Sequence, residues 1–173
     1  MANVLNITYA DFGKGKWELA TGIYEQQKIN GYIDLYTNRL LAELLGVDLY
    51  NLFVADLDPL TFVPQDPKYL AIYNAFMHES GTCNIIISDG MVDMIKGFIY
   101  FEYLKDQINQ VWVSGNVAPV GENSKNISTL SQQIYTRYNQ GVFTYHAIQQ
   151  YICDNSSDYP HYNGHKKLTT YWI

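Results

Sequence analysis

The sequence predicts a single, mainly α-helical domain: a helical bundle with a small projecting β-hairpin and extended terminal arms. Three observations predict it. Apolar residues recur at three- and four-residue steps through 30–46 and again through 90–107, as one buried face of a helix requires. Hydrophobic residues make up 47% of the 173 and charged residues only 16%, so the chain can bury one core and is poorly suited to disorder. Val111-Trp-Val and Val117 to Val120 flank a Ser-Gly-Asn turn, as in a short hairpin. The chain therefore divides into an N-terminal arm (1–28), a helical body (29–154) with the hairpin at about 111–121, and a C-terminal arm (155–173).

The elements follow in order. Residues 1–28 carry Gly13, Gly15 and Gly22 without a clean period and read as an extended arm, with a short helix near Tyr24 to Lys28. From Asn30 a helix places Ile33, Tyr36, Leu40, Leu41, Leu44 and Leu45 on one face, and Gly46 ends it as a left-handed cap. Val47 to Ala55 forms a short second helix carrying Leu49, Leu52 and Phe53. Asp56 to Pro67 is a loop punctuated by Pro59, Pro64 and Pro67. Pro67 opens a third helix running to about Met77, burying Leu70, Tyr73 and Phe76 or Met77. Ser80-Gly81 stops it, and Cys83 to Ile87 is a short apolar strand or link. Asp89 caps the longest central helix, Gly90 to Gln107, whose stripe is Met91, Met94, Ile95, Phe98, Ile99 or Phe101, and Leu104. Beyond the hairpin, whose Pro119 places its second strand at an edge, Asn126 or Ser128 caps a helix with Leu130, Ile134, Tyr135 and Tyr138. Asn139-Gln-Gly141 breaks it, and a last helix, Val142 to Ile152, carries Phe143, Ala147, Ile148 and Ile152. Asp154 to Gly164 is loop, and Leu168 to Ile173 is a strand or arm.

Composition excludes some partners and favours others. Eleven basic against 17 acidic residues leave a net charge of −6, and Arg occurs only as Arg39 and Arg137. Tight nucleic-acid binding needs clustered cations on the phosphates, which this chain lacks; an acidic wall would instead let DNA slide past. Sixteen tyrosines and sparse charge suit surfaces that are wet in one state and buried in another. No run approaches the 18 or so apolar residues of a membrane span, and Met1-Ala-Asn-Val-Leu-Asn lacks the blocks of a secretory signal. Cys83 and Cys153 are too few and too far apart for a disulfide framework, which suits a reducing interior or a particle built there.

No chemical signature emerges. Gly13-Lys-Gly-Lys16 lacks the spaced glycine and following Ser or Thr of a phosphate loop, and reads as a flexible solvated turn. His161 and His165 stand four apart near Cys153, but Pro160, Asn163 and Gly164 oppose the helix that would align them, so a polar loop is the default over a metal site. His78-Glu79 has no second histidine at zinc-protease spacing, and no serine sits in a nucleophile elbow. Asp89, Asp93, Glu102 and Asp106 read as a solvated helix face. Neither a cofactor, a metal nor a catalytic residue is expected.

A family resemblance rests on three blocks. Tyr32-Ile-Asp-x-Tyr36 leading into Leu40-Leu41-x-x-Leu44-Leu45-Gly46 and Leu49-Tyr50-x-Leu52-Phe53 resembles the opening of head–tail connector (adaptor) proteins of tailed phages, most of all those of crAss-like phages. Met91-x-x-Met94-x-Lys96-Gly97-Phe98-Ile99-Tyr100-Phe101-Glu102-Tyr103-x-x-Asp106 resembles that family's central helix. Gly115-x-Val117 to Gly121-Glu-Asn-Ser124 resembles its hairpin and the entry to the next helix. Together they span about 29–128 and are core and capping patterns rather than chemical motifs.

The resemblance implies a virion protein, made in the host cytoplasm, that joins identical copies in a ring at the head–tail junction. Its partners would be itself, the portal, tail or further ring proteins, and the genomic DNA passing through without tight binding. A ring subunit needs two different sticky surfaces, because each copy meets the next heterologously. Trp112, Val113, Asn116 and Val117 in the hairpin, and Tyr171, Trp172 and Ile173 in the tail, are the expected contacts, the tail by adding a strand to a neighbour's sheet edge. Trp112 has a competing role as a lid on its own core. Two other classes stay open: a phage-encoded binder of a host protein, and a small enzyme using the Cys83, His78 and Glu79 region or the His161/His165 loop.

Overall fold

Helix α1, Gln26–Leu45, buries Ile29, Ile33, Leu40, Leu41, Leu44 and Leu45, the stripe its apolar spacing demands. In this computed structural model the described residues are 3–19, 25–81, 84–108, 110–112, 115–117, 132–164 and 166–171. Among them lie four further helices: α2 (Val47–Asp56), α3 (Pro67–Tyr73), α4 (Met91–Ile108) and α5 (Gln132–Asp154). The described residues also form two two-stranded antiparallel sheets: β1 (Phe76–Glu79) with β2 (Ile85–Ser88), and β3 (Gln110–Trp112) with β4 (Gly115–Val117). The expected mainly helical body with a small hairpin is what the chain forms. No described helix is long and apolar enough to cross a membrane.

The core is organised on α4. Met91, Met94, Ile95, Phe98, Ile99, Phe101 and Leu104 are all buried, and so is Tyr103, whose hydroxyl accepts from the Glu25 N–H at the start of α1. Its main partner is α5, with α1 next. Close approach to α5 depends on missing side chains: a Cβ on Gly141 would stand 3.2 Å from two carbons of the Phe98 ring, and one on Gly97 would stand 3.4 Å from the Arg137 carbonyl. The expected break at Asn139–Gly141 does not occur, and α5 runs unbroken for 23 residues. Gly141 serves the packing of the two helices, which outweighs the ~1 kcal/mol that glycine costs inside a helix. Phe143, expected in the core of that segment, is instead exposed.

Other expectations shift at element ends. The third helix stops at Tyr73 rather than Met77, because Phe76–Glu79 pairs as a strand with Ile85–Ser88; Tyr69 and Ile72 are its buried residues. Pro67 is at its first turn as expected, with the Asp66 carboxylate capping the Lys68 N–H at 3.0 Å. Gly90, at φ 91°, rather than Asp89, precedes α4 and accepts the Met94 N–H; the Asp89 carboxylate pairs with Lys16. On α2, Leu49 and Phe53 are buried while Leu52 faces out. Gly46 does end α1, but at φ 75° and ψ 160°, an extended conformation open essentially to glycine alone.

The N-terminal segment, expected as an extended arm, has two short 3₁₀ turns, Tyr9–Phe12 and Gly15–Trp17, little other regular structure, and a firm seat on the body. Leu5, Ile7, Phe12, Trp17 and Leu19 are buried in the common core. Asp11 pairs with Lys96 at 3.1 Å, and Lys16 reaches Asp89 and Asp93 at 3.3 and 3.5 Å, so α4 and the turn before it hold the segment by charge as well as by packing. The expected solvated turn at Gly13–Lys16 is therefore tied down at its lysine.

Candidate assembly interface

The expected hairpin is present and shorter than its sequence signal. Gln110 pairs with Val117, Val111 with Asn116 and Trp112 with Gly115. Gly115 and Asn116, expected in the turn, are thus strand residues. Trp112, Asn116 and Val117 share this ribbon at register positions three residues deep, while Val113 and Pro119 lie outside the described residues, as do the expected helix caps Asn126 and Ser128.

The tail is brought onto the body. Residues 166–171 run along α5 without regular secondary structure. The Tyr171 ring sits in an aromatic cluster, 5.6 Å from Phe101, 5.1 Å from Tyr135 and 5.1 Å from Tyr138 between centroids. Its backbone is gripped on both sides by one side chain: Asn139 Nδ2–H donates to the Tyr171 carbonyl and Asn139 Oδ1 accepts the Tyr171 N–H, each at 2.9 Å. Asn139, a position expected to break a helix, thus works as a backbone clamp. Tyr171 still leaves 48% of its surface exposed. Trp172 and Ile173 lie outside the described residues.

A third surface was not anticipated. In the β1–β2 ribbon Met77 stands opposite Ile87 and Glu79 opposite Ile85, so Met77, Ile85 and Ile87 share one face. They are 75%, 64% and 57% exposed. The other face, Phe76 and His78, packs on the Tyr151 ring of α5 at 4.9 and 5.0 Å. The signal was the triplet Ile85-Ile86-Ile87: in a strand, three consecutive apolar residues put at least one toward solvent or a partner. Leu60, 86% exposed, adds a single apolar tip on a loop tied by the Asp58 carboxylate to the Leu60 and Thr61 N–H groups.

His78 Nε2 lies 3.1 Å from the Asp154 carboxylate in a partly exposed pair; Cys83 and His165 lie outside the described residues. Cys153 is a free, exposed thiol in an open cleft of about 370 Å³ with His146, Gln149, Tyr162 and Lys167. Burial pushes the His146 imidazole below its ordinary value, with a smaller push from Lys167, against a bond to the Leu168 backbone. Burial also raises the Tyr162 phenol to about 12, so it stays protonated and neutral. Among the described residues no three His, Cys, Asp or Glu side chains converge to hold a metal ion. Beside the tail, Tyr36, Arg39, Glu43, Phe98, Glu102 and Tyr138 line a second cleft of about 250 Å³ that Lys166 and Leu168 close on one side.

Compared with protein-family models, curated proteins and solved structures, the chain matches none.

Proposed function

We propose that the chain is a virion structural protein that forms or extends a ring at the portal, linking portal to tail components around the DNA passage. The observation that carries this reading is the outward face of the β1–β2 ribbon, where Met77, Ile85 and Ile87 each leave more than half of their surface exposed. Contiguous exposed apolar surface of this kind is characteristic of protein contacts. The hairpin with Trp112 and the clamped, half-exposed Tyr171 are further contact elements on other parts of the body. A subunit that meets its neighbours heterologously uses such distinct surfaces. The three sequence blocks resembling phage connectors lie in α1–α2, in α4 and at the hairpin, and the net charge of −6 suits a passage that must not hold DNA.

The test is quantitative mass spectrometry of purified particles, measuring this polypeptide relative to the portal. Equal or simple-multiple stoichiometry supports the ring. Absence from clean particles overturns it and transfers the exposed surfaces to a host-directed binder.

A further inference from the structure

We propose that α5 carries a docking track for an extended peptide, and that its occupant in the assembled state is the 166–171 segment of a second copy. This deepens the assembly reading by naming the segment exchanged and the groove that receives it.

The contacts are spaced as a track. Gln149 Nε2–H donates to the Lys166 carbonyl at 3.1 Å, and Asn139 clamps Tyr171 on both sides at 2.9 Å. As the tail advances from 166 to 171, its partners step back along α5 from 149 to 139. Ten helical residues span about 15 Å, and five extended residues span about 17 Å. The segment therefore runs antiparallel to the helix, in register with it, at nearly full extension.

These polar contacts from α5 read main-chain groups and would be made identically by any copy's tail. Side-chain specificity comes from the ends: the Lys166 ammonium meets Glu43 at 2.6 Å, and Tyr171 enters the Phe101, Tyr135 and Tyr138 cluster. In between, little is buried. Lys166, Lys167, Thr169, Thr170 and Tyr171 are exposed and only Leu168 is half-buried, over a cleft it leaves partly unfilled.

The root of the segment is different. Gly164 is buried so tightly that a Cβ there would stand 2.3 Å from the Leu44 carbonyl, and Asn163 Nδ2 bonds Asp48 at 3.2 Å. The chain is fixed to its own body at 163–164, and 166–171 are held by replaceable contacts. Seven residues from that root reach at most about 25 Å, which bounds how far away the receiving groove can be. Exchange of an identical segment between copies costs little once neighbours are close.

The experiment replaces Tyr171 with the photo-crosslinker p-benzoylphenylalanine, which keeps an aromatic ring at the cluster and leaves Asn139, His146 and Gln149 untouched. Purified protein is irradiated from about 1 µM to about 1 mM, the upper end matching the effective concentration of a short tether. Denaturing gels separate links within a chain from links between chains, and peptide mass mapping locates them. The expected result is intrachain links to α5 at 1 µM, and interchain links to residues 135–149 making up tens of per cent at 1 mM. Intrachain links alone at every concentration, or interchain links landing elsewhere, would overturn the proposal. Because this readout needs no particles, its failure leaves the ring reading to stand or fall on particle stoichiometry.

Discussion

Replacing Trp17 with Ala decides whether residues 3–19 belong to the body. The indole is 5% exposed. Its Cη2 occupies the space over Gly97, where a Cβ would stand 3.1 Å away, and its ring lies 5.8 Å from Tyr100 and beneath the Arg137 guanidinium at 5.6 Å. A buried aromatic of this size removes about 150–250 Å² from water, worth about 4–6 kcal/mol at about 25 cal/mol per Å². Truncations of buried Trp to Ala cost about 3–5 kcal/mol. At about 2–4 °C per kcal/mol for a chain of this length, Tm should fall by about 6–20 °C. Urea unfolding followed by far-ultraviolet circular dichroism measures the loss, with an unchanged slope showing that the same surface unfolds. Lys16→Ala is the control: its ion pairs with Asp89 and Asp93 are about a third exposed or more, so it should cost less than about 1 kcal/mol. A Trp17→Ala loss below about 1 kcal/mol would refute the reasoning and make the segment a separable arm.

Gly46→Ala should cost about 1–3 kcal/mol from its backbone conformation alone. More follows because the new Cβ would fall 1.7 Å from Asn163 Oδ1 and 2.7 Å from the Gly164 N; a denaturation midpoint equal to that of the unsubstituted protein would contradict the joint described between the α1–α2 corner and the tail's root. For His146, whose folded value is depressed chiefly by burial, the unfolded chain takes up the proton first as pH falls. Stability is therefore full above the ordinary histidine value of about 6.5 and declines as pH drops from there through the folded value. His146→Gln should reduce that slope in urea midpoints measured from pH 7.5 downward, and an identical slope in the variant would count against it.

The helical stripes were legible in residue order alone. Every residue offered for the face of α4 is buried, Ile99 and Phe101 both, because a 3.6-residue period leaves few other ways to hide them. The end of α1 and the start of α3 were also legible, since Gly46 and Pro67 act through local backbone geometry. Tertiary structure decided the rest. Gly141 reads locally as a helix stop, and only the Phe98 ring 3.2 Å from its absent Cβ makes it a contact surface. Phe76–Glu79 reads equally well as a last helical turn until Ile85–Ser88 supplies hydrogen bonds from outside the segment. Likewise the irregular 3–19 segment has no period to reveal that its five apolar side chains complete a core built by helices far along the chain. The tail's partners on α5 lie 17 to 32 residues away, and they bond its backbone, which carries no residue signature. Periodicity records how a segment buries itself; which segment fills the space it leaves is settled only when distant parts of the chain meet.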